Sequence, residues 1–258
     1  MGVTAQAVSK WENGHNLPDI DNLTRIAHLL KVPYTALVDG EDLPVDVQQR
    51  NRLFHEGNMY TRVKTIAQTM RLENTLRALQ FMRQMHTGQF RKGNRYATER
   101  VEYINHPLMM VCQALSMGIN DDDILSALLL HDVVEDTRAE LEELPVSCHA
   151  KKLVGLMTKD KGSADKETAK ERYYKELAGC PEAALIKCFD RVNNLSNMAL
   201  GFTRDKMKAY VEETEKYIVP LFRVIKDNAP EYSDAAWLLS YHMYSLLETY
   251  KRLLWEEA

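Results

Sequence analysis

A histidine followed by an aspartate, His131-Asp132, sits in the run ILSALLLHDVVEDT, and Glu135 and Asp136 follow one turn later. Four ionisable side chains thus crowd a stretch that is otherwise apolar. Buried charge is costly unless it is paired or holds a metal, so metal binding is the first chemistry this segment suggests. On an α-helix, positions four apart share a face, which would stack His131 with Glu135 and Asp132 with Asp136. A second segment, PEAALIKCFDRVNNLSNMA, offers Lys187, Asp190 and Asn194 at i, i+3 and i+7 on one face. Its other face carries Leu185, Ile186, Phe189 and Val192. His106, placed just before Pro107, is a third contributor at a helix start. Mixed imidazole and carboxylate donors suit Mn²⁺, Fe²⁺ or Zn²⁺ better than Ca²⁺ or a thiolate-selected metal. Two histidines and two aspartates leave positions open for water, as a hydrolytic reaction requires. Taken singly, each residue has a plainer role as a satisfied core histidine or a locally paired carboxylate. The density of the cluster, matched by the downstream segment, favours the metal.

These groups must be held by helices, because almost nothing in the chain patterns as strand. Glycine and proline are sparse, and leucine and methionine are frequent. NTLRALQFMRQMHTG is amphipathic and stops at Gly88; QFRKGNRYATERVEYIN is basic and irregular and reads as a loop. His106-Pro107 opens a helix that stops at Gly118, with proline in the favoured first turn. Asn120 or Asp121 caps the helix carrying His131-Asp132. Further helices are predicted near 147–158, 167–178, 205–226 and 233–256. The fold class expected is all-α, a multi-helix bundle preceded by a short helical segment. The boundaries read as residues 1–42 for that segment, 43–73 for a linker or connecting helix, and 74–258 for the main domain.

The bulk numbers agree with a soluble globular chain. Of 258 residues, 45% are hydrophobic and 27% charged, which is ordinary. The net charge of -4 gives no electrostatic reason to expect a nucleic-acid or membrane specialist. Cys112, Cys148, Cys180 and Cys188 form no C-x-x-C pair and read as reduced thiols in a cytoplasmic protein. No apolar run is long enough to span a bilayer, and no signal peptide is evident.

The motifs carry a family resemblance. HTGQFRK, YINHP, LLHDVVEDT and KCFDRVNNL stand in the order and form of the HD-domain superfamily of metal-dependent phosphohydrolases. More narrowly, the chain resembles the hydrolase domain of RelA/SpoT proteins and the small metazoan SpoT homologues. In that family the motifs are H-x-x-Q-x-R-K, Y-I-x-H-P, L-L-H-D-x-x-E-D-T and K-x-x-D-R-x-x-N-L. The resemblance covers roughly residues 74–225, and LLHDVVEDT is its most specific string. It implies that His106, His131, Asp132 and Asp190 bind a divalent metal, by family habit Mn²⁺. It implies that Glu135 and Asp136 orient or deprotonate the attacking water. Arg91 and Lys92 would hold phosphates, and Asn194 and Tyr103 would touch the nucleoside, with Lys187 also near the substrate. The implied reaction removes the 3′-pyrophosphate of guanosine tetra- or pentaphosphate, by a hydrolase without a synthetase domain. The segment RKGNRYATERVEYINHP is longer than the family's usual R-K-x-G-x-P-Y-I-x-H-P, so Arg95 or Arg100 could take the phosphate-binding place. Two alternatives stay open: hydrolysis of another nucleotide, such as NADPH or a plain nucleotide, and a non-catalytic nucleotide-sensing regulator. No Gly-Tyr-Pro signature of cyclic-dinucleotide phosphodiesterases is present.

At the amino terminus, VTAQAVSKWENGHNLPDIDNLTRIAHLLKVPYTALV resembles the later part of a Cro/repressor-type helix-turn-helix domain. Thr4 caps a helix closed by Asn13-Gly14, and Pro18-Asp19 start a second with Ile20, Leu23, Ile26, Ala27 and Leu30 at helical spacing. In such domains the recognition helix enters the major groove, which makes Thr4, Gln6 and Ser9 the candidates for DNA contact. Two facts oppose that partner. The chain begins at the recognition helix, and residues 1–50 hold 4 Lys+Arg against 7 Asp+Glu, a balance of −3, so few cations are offered to phosphates. A second copy of the chain is the remaining candidate partner.

Overall fold

The computed structural model describes residues 4–12, 18–30, 54–91, 101–159 and 165–255. The expected helix YTALVDG, the GEDLPVD linker, the Asn13-Gly14 stop and the loop cations Lys92, Arg95 and Arg100 lie outside the described residues. The chain divides into two compact units, Met1–Leu53 and Phe54–Ala258. Among the described residues there is no strand, only an isolated antiparallel bridge between Phe90 and Glu102, and no helix is long and apolar enough to cross a membrane.

In the first unit, α1 (Ala5–Glu12) and α2 (Ile20–Leu30) follow the helical spacing. The Thr4 hydroxyl accepts the Ala7 N–H at 3.2 Å, and Asp19 Oδ1 accepts that of Asn22 at 2.8 Å. Each cap satisfies a donor that the first helical turn leaves without a partner. Ala27 is buried, whereas Leu30, expected on the same apolar face, is 47% exposed.

The second unit is a helical bundle built round two central helices. α3 (Glu56–Met70) and α4 (Glu73–Met85) lead to α5 (Asn105–Ser116) and α6 (Asp122–Leu130). α3 fell in the connecting stretch 43–73 by sequence, yet it buries Met59, Val63 and Ala67 against α4 and α5. Its polar surface is one face of a helix whose other face is core, so the bundle begins near Phe54 rather than at residue 74. α6 is buried throughout from Ile124 to Leu130, and Asp121 caps it by accepting the N–H groups of Asp123 and Ile124, each at 2.9 Å. One turn of helix, α7 (Val133–Asp136), follows after a break. Then come α8 (Cys148–Met157), α9 (Lys166–Ala178) and α10 (Pro181–Asn197), the second central helix, buried continuously from Ala183 to Asn193.

The helix expected over 205–226 is interrupted. α11 (Arg204–Glu213) runs into a π-turn, Thr214–Ile218, before α12 (Leu221–Asn228). Pro220 explains the interruption, since its ring clashes with the preceding turn and it donates no N–H. The π-turn places buried Thr214 so that its hydroxyl accepts from Arg191 Nη1 at 3.1 Å while donating to the Tyr210 carbonyl at 2.6 Å. α13 (Ser233–Trp255) closes the bundle against α10, α11 and α12.

Arg191 is the largest fully buried side chain, and its charge is balanced by Glu213 at 2.7 Å, with Tyr174 at 2.9 Å. Burial alone would raise the Glu213 carboxyl, but the Arg191 guanidinium brings it down to about 2. A carboxylate whose folded pKa is depressed contributes stability above its unfolded pKa, and that contribution fades as pH falls through the folded value. Glu213→Gln is therefore expected to cost about 3 kcal/mol at pH 7, the lower end for breaking a buried pair. The gap in melting temperature from the parent protein should narrow as pH falls from about 4.5 towards 2. A gap that stays constant with pH would count against the ion pair.

Candidate active site

α5, the α6–α7 break and α10 bring four side chains to one point. His106 is the second residue of α5, and its Nδ1 lies 2.7 Å from Asn193 Oδ1. Arg91 Nη1 also donates to that oxygen, at 3.4 Å, so the imidazole must be a donor at Nδ1. His131 Nδ1 donates to the Leu128 carbonyl at 2.9 Å. Both rings therefore turn an unprotonated Nε2 inward, and these two nitrogens are 3.2 Å apart with no hydrogen between them.

Two carboxylates complete the cluster. Asp190 Oδ1 is 3.3 Å from His106 Nε2 and 3.8 Å from His131 Nε2. Asp132 Oδ2 is 3.5 Å from His131 Nε2, and His106, His131 and Asp132 each present a ligand atom within 4.8 Å of the others. Lone pairs at such spacing repel unless a cation sits among them. Ligands about 2.1 Å from a shared ion stand about 3.0–3.5 Å apart, which three of these distances match, the 3.8 Å between His131 and Asp190 being longer. The donor set thus fits a divalent cation of the Mn²⁺, Fe²⁺ or Zn²⁺ kind.

The helix does not run through His131-Asp132 as the sequence suggested. The His131 imidazole takes the Leu128 carbonyl that would otherwise accept the Asp132 N–H, and α6 ends at Leu130. His131 and Glu135 line the same cavity. Asp132 and Asp136 do stay together: the Asp136 N–H donates to the Asp132 carbonyl at 2.9 Å.

Around the cluster, the neighbours fix its charges. Burial alone would raise the Asp190 carboxyl, but Lys187 Nζ at 2.8 Å holds it well below the usual carboxylate range. Burial would likewise lower Lys187, and Asp190 instead carries it well above its ordinary value. Lys187, expected at the substrate, is thus buried against a cluster carboxylate while still lining the cavity. Asn194 Nδ2 donates to Asp190 Oδ1 at 2.6 Å, and its carbonyl receives Arg91 Nη2 at 3.3 Å. Arg91 is the one phosphate-binding candidate from the loop whose place is described, and burial lowers its pKa.

Tyr103, also expected at the substrate, has its hydroxyl between two carboxylates, 2.6 Å from Asp132 Oδ2 and 2.8 Å from Asp136 Oδ2. Burial first, then those two charges, push the phenol far above its ordinary pKa, so it remains a neutral donor. Asp132 itself would be raised by burial; His131, His86 and His106 in their protonated form, with the Tyr103 hydroxyl, instead hold it well below the usual carboxylate range. The Glu135 carboxylate accepts the Lys159 backbone N–H.

These residues line a cavity of ≈ 210 Å³ that also includes Lys159, Arg191 and Tyr210. An adjoining cavity of ≈ 610 Å³, lined by Gln84, Gln89, Thr87 and Arg138 among others, shares Asp136 with it. Sequence reasoning missed Asn193, which sets the tautomer of His106, and His86, which faces Asp132. Each lies within a motif already recognised, Asn193 in KCFDRVNNL and His86 at the head of HTGQFRK. Thr4, Gln6 and Ser9 are exposed in the first unit.

Known proteins resemble both units. A helix-turn-helix family model matches residues 1–37. The mouse guanosine-3′,5′-bis(diphosphate) 3′-pyrophosphohydrolase MESH1 is 32% identical over 145 residues, which cover 53% of this chain and 78% of that protein. An Aquifex aeolicus guanosine-3′,5′-bis(diphosphate) 3′-pyrophosphohydrolase is 31% identical over 154 residues, 58% of this chain and 21% of the longer protein. A solved structure of a metazoan ortholog of SpoT, described as hydrolysing ppGpp, aligns with a TM-score of 0.54 at 26% identity over 69% of this chain and 95% of its own.

Proposed function

The chain belongs to the guanosine-3′,5′-bis(diphosphate) 3′-pyrophosphohydrolase family, and from that premise we propose that it is an enzyme removing the 3′-pyrophosphate of guanosine tetra- and pentaphosphate. The observation that carries this reading is the convergence of two Nε2 lone pairs and two carboxylates beside Glu135 and Asp136.

His106, His131, Asp132 and Asp190 would hold a divalent metal, for which we propose Mn²⁺. When bound, such an ion polarises a phosphoryl oxygen and makes water a better nucleophile near neutral pH. The remaining work falls to the chain's own groups. Glu135 takes a proton from the attacking water, and Asp136, steadied by the Tyr103 hydroxyl, orients that water. The water oxygen bonds to the phosphorus attached to the ribose 3′-oxygen, the phosphorus–3′-oxygen bond breaks, and the leaving 3′-oxygen takes up the proton that Glu135 removed. Arg91 matches phosphate oxygens with its planar fork, helped by Lys92 and by Lys159 at the cavity mouth. Asn194 and Tyr103 would meet the nucleoside. Lys187 acts through Asp190, holding the carboxylate charged and aimed.

The four cysteines are unpaired thiols, in keeping with a cytoplasmic setting. DNA binding by the amino-terminal unit would need more cations than the 4 Lys+Arg of residues 1–50, so we assign it no role in the reaction.

The test is one incubation of the purified chain with Mn²⁺ and guanosine tetraphosphate, NADPH and GTP in parallel, with products separated by anion exchange. GDP plus pyrophosphate, abolished by a chelator and restored by excess Mn²⁺, is the expected result. Turnover of NADPH or GTP alone would keep the centre and replace the substrate. No turnover of any of the three would favour nucleotide sensing over catalysis.

A further inference from the structure

Two buried polar atoms next to the cluster have no hydrogen-bond partner, and they face each other. His86 Nε2 and Asp132 Oδ1 are 3.5 Å apart, and the His86 side chain is wholly shielded from solvent. Asp132 turns its other oxygen, Oδ2, towards His131 and Tyr103. A carboxylate held at one oxygen alone can swing about its Cβ–Cγ bond, and a swing would carry Oδ2 out of the cluster.

The His86 ring itself is held from two sides. Its Nδ1 lies 2.7 Å from the Gln89 side-chain amide, which tethers the ring on that side. The amide is itself held, its Nε2 donating to the Asp136 carbonyl at 3.2 Å. Tyr103 stacks on the ring face with centroids 4.6 Å apart. The turn that makes this brace depends on Gly88, whose φ of 77° lies in the left-handed region and lets the Gln89 N–H return to the His86 carbonyl at 3.0 Å.

We infer that His86 is a positioning residue for the metal centre: its Nε2–H holds Asp132 Oδ1, so that Oδ2 stays aimed at the point where His106 and His131 converge. The brace continues through Gln89 to the Asp136 backbone and through Tyr103 to the Asp136 side chain, linking the metal-binding carboxylate to the one that orients water. Outer partners of this kind set ligand orientation, and their loss typically costs about 10–100-fold in metal affinity.

The inference rests on the proposed metal centre, and its test reads binding rather than turnover. Mn²⁺ affinity of the full chain is measured by titration calorimetry for the parent, His86→Leu and His86→Gln, with circular dichroism and melting temperature as folding controls. Leucine removes the donor and is expected to weaken Mn²⁺ binding by about 10–100-fold; glutamine keeps an N–H and should recover most of it. Equal affinity for leucine and glutamine variants, whether both parental or both weak, overturns the role of His86 alone. A parent chain that binds no Mn²⁺ takes the metal centre down with it. Should His86→Leu fail to fold, the ¹⁵N resonances of the parent decide: a proton on His86 Nε2 agrees with the inference, and an unprotonated Nε2 overturns it.

Discussion

Asp132→Asn should yield a folded protein that hydrolyses guanosine tetraphosphate slower by on the order of 10³-fold or more and no longer holds Mn²⁺ tightly. Metal polarisation contributes several kcal/mol to the transition state, and each step of about 1.4 kcal/mol is tenfold in rate. The amide keeps the shape of the carboxylate, and its carbonyl can still receive the Tyr103 hydroxyl that now lies 2.6 Å from Oδ2. What it loses is the charge that offsets the cation. Folding should survive, because Asp132 sits at a break between helices and caps neither with its side chain. The measurement is kcat at saturating substrate beside a calorimetric Mn²⁺ titration, with circular dichroism as control. Full activity in this variant would show that the metal is held elsewhere or not used.

Much of this centre was legible in the sequence because helical spacing is a strong constraint. Lys187, Asp190 and Asn194 were placed on one face by i, i+3, i+7 spacing, and both outer residues do bond the Asp190 carboxylate. The all-α architecture followed equally directly from the lack of alternation and the scarcity of glycine and proline. The features that escaped depend on a side chain competing with the backbone. Nothing in LLLHDVV announces that the His131 ring will claim the Leu128 carbonyl and stop the helix. That contact aims the imidazole. Asn193 escaped for a related reason: its neighbour Asn194 fits the face with Asp190, while Asn193 turns towards α5, and only the packing of α5 on α10 shows which asparagine reaches His106. The interruption of the 205–226 helix was signalled by Pro220, but its benefit, a buried hydroxyl for Arg191, appears only in three dimensions.

The same geometry separates the two carboxylates that follow the metal ligands, and this leads to the second large effect. Asp136 already shares the Tyr103 proton at 2.8 Å, which leaves it less free to accept another. Glu135 faces the cavity and receives a backbone N–H from Lys159, which anchors the carboxylate at the end of α8 without supplying it an acidic proton. On the proposed mechanism Glu135 is the base and Asp136 the guide. Glu135→Gln should lower kcat by about 10²–10⁴-fold, the usual weight of a positioned general base. Glutamine retains an acceptor oxygen for the Lys159 N–H, so the loop should keep its place. Since Glu135 is not among the four converging ligands, Mn²⁺ affinity should remain within a few-fold of the parent. That split distinguishes proton transfer from metal binding: Asp132→Asn loses both, and Glu135→Gln loses only the rate. A Glu135→Gln variant that retains a tenth or more of the parental kcat would move the base to Asp136. One that loses rate and Mn²⁺ together would instead make Glu135 a ligand.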